Sequence, residues 1–248
     1  MSQVYSIEGN IGSGKSTLIQ KLKEHYKYEN NENIVFMEEP VSQWTDIKDE
    51  TGENMIEKFY KDQKTYAFSF QMMAYISRLS MLKRCIRENP KSIIICERSL
   101  HTDKNVFAKM LYDNKQIETV NYQIYLKWFD EFISDIPNSG LIYVRADPET
   151  SYKRVIKRDR KGETIPFAYL ENCHRYHDEW INNETTPLLL LNGNEVKTTC
   201  EEYNYWMSDI KLFLFSNKRE IQSIRDKYIN DNFENKSFDD KYLLGFGC

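Results

Sequence analysis

The run Gly9-Asn10-Ile11-Gly12-Ser13-Gly14-Lys15-Ser16 constrains this chain more than any other feature. Gly9, Gly14, Lys15 and Ser16 satisfy G-x-x-x-x-G-K-[ST]. A short apolar run, residues 4–7, precedes the loop, and a helical stretch, about residues 17–26, follows it. Strand, glycine turn and helix in that order curl successive backbone N–H groups around phosphate oxygens. The helix N-terminus adds partial positive charge. In such a loop Lys15 bridges the outer phosphates and Ser16 ligates Mg²⁺, with Thr17 beside them. The segment therefore predicts a nucleoside triphosphate site. A glycine-rich turn without ligand is the bland alternative, and the strand–loop–helix context weighs against it.

The rest of the chain reads as a frame for that loop. Apolar runs at 4–7, 34–37, 93–96, 141–144 and 188–191 are short enough for buried strands. Helically spaced segments separate them, so the expected fold is α/β, a five-stranded parallel sheet flanked by helices. A chain of 248 residues fits one domain or two small ones. We place the domain at 1–217 and read 218–248 as a terminal helix or tail, charged and Asn-rich over 226–241. The stretch 28–33 reads as a solvated loop. Two long stretches, 54–88 and 121–134, carry apolar residues on more than one face and need more than one packing partner, within the subunit or across a pair of subunits.

Thirty-four basic against 38 acidic residues, a net charge of −4, give no reason to expect nucleic acid or an anionic membrane as partner. No apolar run reaches the ~20 residues of a membrane span. Five cysteines without a CxxC pair suggest reduced thiols and a cytoplasmic protein.

Ligands of an open parallel sheet sit beyond the carboxyl ends of its strands. Glu38-Glu39-Pro40 follows the second run and Glu97-Arg98-Ser99 the third. A carboxylate there is either a solvated strand end or a general base or Mg²⁺ ligand, and an arginine can stabilise a transferring phosphoryl group. Pro40 biases Glu39 toward an extended backbone. Side chains alternate in such a backbone, so only one of the two glutamates can face the site.

The segment 154–161 packs five cations into eight residues. Alone it reads as a solvated charge run; beside a phosphate loop it reads as a basic flap that closes over a triphosphate. We place this arginine-rich lid at about 154–165. In the helical stretch around residues 68–78, Gln71, Ala74 and Arg78 share a face. A glutamine amide matches the hydrogen-bonding edge of a nucleobase, and Phe70 or Trp44 could pack against the base.

These motifs, EGNIGSGKST, EEPVSQW, FSFQMMAYISRL, ERSLHTD and RVIKRDRKGE, occur in an order that resembles the eukaryotic and viral deoxynucleoside kinases. The resemblance runs from about residue 5 to 180 and continues more weakly to 191. It implies a P-loop kinase fold, ATP or another triphosphate as donor, Mg²⁺, and phosphate transfer to the 5′-hydroxyl of a deoxynucleoside. By position it implies that Glu39 takes the proton from that hydroxyl and that Arg98 lies near the transferred phosphoryl. It implies that Glu97 supports Mg²⁺, that Gln71 bonds the base, and that Phe70, Trp44 and Phe107 line the pocket. Tyr60 matches the tyrosine on the sugar 3′-hydroxyl, with Glu163 as its carboxylate partner. Arg158 and Arg160 match the lid arginines on the phosphates, and Arg154 the one beside the donor's base. The lid is a residue shorter between Glu163 and Ile165 than in some relatives.

Ala74, Arg78 and Asp103 stand where members accepting deoxycytidine and purine deoxynucleosides carry a small residue, an arginine and an aspartate. An Arg–Asp pair offers charge-assisted donors and acceptors and would crowd a thymine methyl. The expectation is preference for deoxyadenosine, deoxyguanosine or deoxycytidine over thymidine. The resemblance also implies a homodimer through the long helices. Two alternatives remain at this point. One is a nucleoside monophosphate kinase resembling thymidylate kinases, which would need a further cationic site for the acceptor phosphate. The other is a non-catalytic relative that only binds nucleotide, against which Lys15, Glu39 and Arg98 are all present.

Overall fold

In the computed structural model the described residues are 2–28, 33–160, 163–195 and 200–215. The predicted 218–248 tail and most of the 28–33 loop lie outside them. The strands are β1 (Gln3–Glu8), β2 (Ile34–Met37), β3 (Ile93–Glu97), β4 (Gly140–Arg145) and β5 (Leu188–Asn192). They form one sheet in the order β2-β3-β1-β4-β5, and every pair is parallel. The expected five-stranded α/β sheet is therefore the observed one.

Parallel strands covered on both faces read as continuous apolar runs because neither set of alternating side chains meets water. On one face Tyr5, Ile7, Ile93, Ile95, Ile142 and Val144 pack against α1 (Lys15–Tyr28) and α10 (Cys200–Phe215). On the other, Val4, Ile94 and Cys96 meet Leu82. Also on that face, Leu141, Tyr143 and Leu188 meet Cys173, Tyr176 and Trp180 of α9 (Phe167–Asn183).

The stretch 54–88 is two helices rather than one. A short helix, α2 (Val41–Asp46), precedes α3 (Met55–Lys61) and α4 (Gln63–Glu88), which divide at Asp62. Asp62 leaves helical geometry with φ −145 and ψ 83, and its carboxylate accepts from Thr65 N to cap α4. Asn54 and Glu57 form a capping box that starts α3. Aspartate competes for the backbone in this way whenever it can serve as an N-cap. The other long stretch is α7 (Thr119–Ile133).

Between β3 and α7 the chain runs through α5 (Leu100–Thr102), a π-helical segment Asp103–Ala108 and α6 (Lys109–Asp113). π-Helical turns are rare and often sit at functional sites. This one carries Asp103 and Phe107. The basic segment begins as α8 (Pro148–Arg158), which ends where Asp159 turns left-handed at φ 46. Lys161 and Gly162 of the basic segment are outside the described residues. Arg154 and Arg158 lie in the last turns of that helix.

Candidate active site

The loop after β1 is pressed into the protein. A Cβ on Gly9 would stand 2.4 Å from the carbonyl oxygen of Val144, and one on Gly12 would stand 2.5 Å from that of Ser151. Both have positive φ, 140 and 81. Only glycine meets both demands. Asn10 works behind the loop: its amide donates to Leu170 O at 2.9 Å, and its own carbonyl accepts from Lys15 Nζ at 2.7 Å. Gly9 and Asn10 thus shape the loop, whereas Ile11 to Thr17 open onto a cavity of about 700 Å³. Burial, with Arg98 nearby, lowers the Lys15 ammonium to about 7.

That cavity collects residues that follow β1, β2, β3 and β5 and residues of the helices around them. Glu39, Trp44, Tyr60, Phe70, Gln71, Ala74, Arg78, Glu97, Arg98, Asp103, Phe107, Arg154, Arg158, Arg160 and Glu163 all line it, together with Lys15 and Ser16. Alternation after β2 settles the two glutamates: Glu38 turns outward and pairs with Lys23, while Glu39 faces the cavity.

Glu39 is held by two guanidiniums. Arg98 Nη1 lies 2.9 Å from both of its oxygens, and Arg78 Nη2 lies 3.0 Å from Oε1. Burial alone would raise this carboxyl, but Arg98, Arg78 and Lys15 outweigh it and hold it at about 2. Arg98 follows β3 with φ 62, an uncommon left-handed backbone for a side chain of its size. Its N–H donates to Ile7 O at 3.0 Å, and its guanidinium lies 5.2 Å from the Phe107 ring centre. Nε and Nη2 of Arg98 are buried without a partner. Such strain and unmet donors are found where structure serves chemistry.

Arg78 is 1% exposed. Its Nε donates to Asp103 Oδ2 at 2.9 Å, Nη2 also reaches Asp103 Oδ1 at 3.4 Å, and Nη1 donates to Glu97 O at 2.7 Å. With Glu39 added, at most one Nη1 N–H is left for anything else. Beside it Ala74 leaves room, and Gln71 is buried with Oε1 unpartnered. Aromatic rings wall this end: Trp44 meets Phe70 edge-on at 5.6 Å, and Phe70 stacks on Phe59 at 4.6 Å.

Across the cavity Glu163 pairs with Arg158 and, at 3.8 Å, with Arg160. Burial and the nearby Glu163 push the Tyr60 hydroxyl up. At the opposite end Arg154 donates to Ser13 O at 3.1 Å and to Gly193 O at 2.7 Å. Gly193, Tyr203 and Trp206 line this end and Phe59 and Tyr169 the other, and sequence reading named none of them. Apolar and loop positions without a motif carry no signal separating lining from core. Ser16 Oγ lies 2.6 Å from Glu97 Oε1, two hard oxygens beside Lys15.

A phosphate loop at the carboxyl edge of a parallel sheet, opening into one cavity with a carboxylate and two arginines, defines a phosphoryl-transfer protein. The deoxynucleoside kinase family model matches residues 5–214, so the chain belongs to that family, whose members have the P-loop kinase fold. It is 38% identical over 198 residues to a probable deoxycytidine kinase of fowlpox virus, covering 76% of this chain and 78% of that protein. It is 31% identical over 243 residues to deoxycytidine kinase 2 of Gallus gallus, covering 85% and 90%. It is 33% identical over 181 residues to human mitochondrial thymidine kinase 2, covering 72% and 64%. Among the described residues no helix is long and apolar enough to cross a membrane.

Proposed function

We infer that the chain transfers the outer phosphoryl group of ATP to the 5′-hydroxyl of deoxynucleosides, producing deoxynucleoside monophosphates for nucleotide salvage. The observation that carries this is the Glu39–Arg98 contact, set between the phosphate loop and the Gln71 pocket in one cavity. The two-substrate layout supports a transferase over a nucleotide-binding subunit. A monophosphate kinase is not favoured: Arg78, the cation of the base pocket, is committed to Glu39 and Asp103.

In this reading Glu39 receives the hydrogen of the 5′-hydroxyl and aims its oxygen at the phosphoryl group. Arg98, with two donors unspent, meets the charge that develops there. Loop amides, Lys15 and the arginines 158 and 160 hold the phosphates, the segment 154–165 acting as lid. Arg154 ties the loop to the donor end. Ser16 and Glu97 are a fit for Mg²⁺, which takes few protein oxygens and keeps phosphate and water as its other ligands. When bound, the ion would neutralise phosphate charge. Tyr60 and Glu163 hold the sugar.

The relatives' names span cytidine and thymidine nucleosides, so base choice rests on the pocket. Gln71 Oε1 offers an unspent acceptor to a base N–H. The Arg78–Asp103 pair and the small Ala74 accommodate cytosine or a purine and oppose the thymine methyl. A radiolabelled-ATP assay across the four deoxynucleosides and their monophosphates tests this. We expect kcat/KM for deoxyadenosine, deoxyguanosine or deoxycytidine to exceed that for thymidine by about tenfold or more, a ratio one misplaced methyl can produce. A thymidine value above the others overturns the base assignment, and phosphorylation of dAMP or dTMP alone overturns the acceptor class.

Lys15 sets the pH dependence. Bound phosphates favour its charged form, which the empty site holds only below about 7. Hence kcat/KM for the donor falls as pH rises through about 7, by up to roughly tenfold per unit. Glu39, ionised down to about 2, contributes no acid limb above that value. A pH–rate profile checks both limbs.

Ile76 of α4 and Ile124 and Trp128 of α7 are exposed at 52%, 41% and 46%. Exposed apolar side chains on these two helices fit a protein interface, and we infer a homodimer through them. Sedimentation equilibrium at the dimer mass supports it, and a monomer at tens of micromolar opposes it. Three free thiols among the described residues, Cys85, Cys96 and Cys173, fit a reducing, cytoplasmic setting.

A further inference from the structure

Glu8, the last residue of β1, is completely buried. Its Oε2 accepts from the hydroxyl of Thr102, itself completely buried, and its Oε1 has no partner. One neutral donor is poor compensation for a buried carboxylate. The carboxylate lies near Lys15 and Arg98 and favours the charged form of each, so its compensation comes from the site and not from the strand. The carboxylate therefore calls for an explanation other than strand packing.

Its place in the polar network supplies one. Glu8 is joined through the backbone to Gly9, whose α-carbon is wedged against β4. Thr102 is joined to Asp103, which holds Arg78. Arg78 continues to Glu39 and to the carbonyl of Glu97, and the Glu97 carboxylate accepts from Ser16 of the loop. The contacts close a ring beneath the cavity, from phosphate loop to acceptor pocket and back. Every side chain in that ring lines the cavity except Glu8 and Thr102.

We propose that Glu8 and Thr102 are a positioning pair that fixes the phosphate loop against the turn carrying Asp103, and so aligns the donor's outer phosphate with the acceptor hydroxyl. The proposal rests on reading the cavity as a two-substrate kinase site. Neither residue lines the cavity, and Thr102 is uncharged, so changing Thr102 leaves the charges of the walls in place, whereas Glu8 also acts on Lys15 and Arg98 through its charge. Loss of alignment without loss of contacts lowers kcat and spares KM, since a misplacement near 1 Å can cost up to roughly a hundredfold.

The test uses Thr102→Val, which keeps shape and removes the donor, Thr102→Ser, which restores it, and Glu8→Met, which removes the buried charge. Steady-state kinetics with the best deoxynucleoside should show kcat about tenfold lower for Thr102→Val and Glu8→Met, a loss within the range misalignment can produce. KM values should stay within about threefold of the parent, and Thr102→Ser should lie within about twofold of it, because it keeps the hydroxyl. Glu8→Met should melt at or above the parent temperature. A purely structural carboxylate predicts the reverse, a lower Tm with unchanged kcat. The proposal is overturned if Thr102→Val keeps its kcat, if Thr102→Ser is as impaired as Thr102→Val, or if the loss lies in KM. Should Thr102→Val not fold, Thr102→Ala decides on the same criteria, since Glu8→Met also removes a charge near Lys15 and Arg98. A parent inactive on every deoxynucleoside rejects the kinase reading instead. The pair is then judged by binding: a nonhydrolysable ATP analogue should tighten deoxynucleoside binding in the parent and less in Glu8→Met, and equal tightening rejects the pair.

Discussion

Glu39→Gln lowers kcat by about 10²–10⁴-fold, the range expected when a positioned proton acceptor is removed, while deoxynucleoside still binds. The amide keeps the size of the carboxylate and one acceptor for Arg98, so the cavity wall persists. What it loses is the ability to take a proton and the charge that balances two buried guanidiniums. The depressed carboxyl, held at about 2 by Arg98, Arg78 and Lys15, makes Glu39 a weak base toward a free hydroxyl. Proton transfer to it therefore becomes favourable late, as the new P–O bond forms and the hydroxyl acidifies. In a loose phosphoryl-transfer transition state little base strength is needed early, and orientation carries most of the effect. Single-turnover kinetics with nucleoside affinity measured separately checks this. An unchanged kcat removes Glu39 from the role, and a loss confined to affinity makes it a binding residue only.

The parts of this site that sequence revealed are those whose chemistry forces a residue type at a fixed spacing. Gly9 and Gly12 are required because a Cβ on either would stand 2.4 or 2.5 Å from a backbone oxygen, and Lys15 and Ser16 by the phosphates. Glu39 was separable from Glu38 because Pro40 and strand alternation leave one direction each. The sheet was legible for a similar reason: strands buried on both faces tolerate little but apolar residues. Other features depend on contacts between distant segments. The break at Asp62 competes with a helical pattern that runs through it, and only the capping bond to Thr65 decides the outcome. The left-handed Arg98 and the π-helical Asp103–Ala108 leave no mark in composition. Glu8 sits inside the most recognisable motif of the chain, yet its partner Thr102 is 94 positions away.

The most consequential of these long-range contacts concerns Arg78. Sequence reading took the Arg78–Asp103 pair as groups offered to a base, whereas the geometry spends nearly all of the guanidinium on Asp103, Glu39 and the Glu97 carbonyl. The pair thus organises the pocket as well as bounding it, and the expected result for Arg78→Leu follows. Leucine leaves Asp103, whose side chain is 3% exposed, without a charge partner, and it removes one of the two guanidiniums on Glu39. Breaking a buried pair by deleting one member typically costs about 3–5 kcal/mol. Burial already pushes the Asp103 carboxyl up, and loss of the guanidinium pushes it further in the same direction, so protonation softens the loss at lower pH. Stability of Arg78→Leu should therefore fall as pH rises through the new Asp103 value, because the unfolded chain then binds fewer protons than the folded one. Adding Asp103→Asn removes the unpaired charge and should recover a large part of the loss together with its pH dependence. Urea unfolding of the parent, the single variant and the double variant at two pH values measures all three effects, provided the slope with denaturant stays constant. A single variant as stable as the parent would mean that the buried network is neutral for folding and that Arg78 is retained for recognition alone.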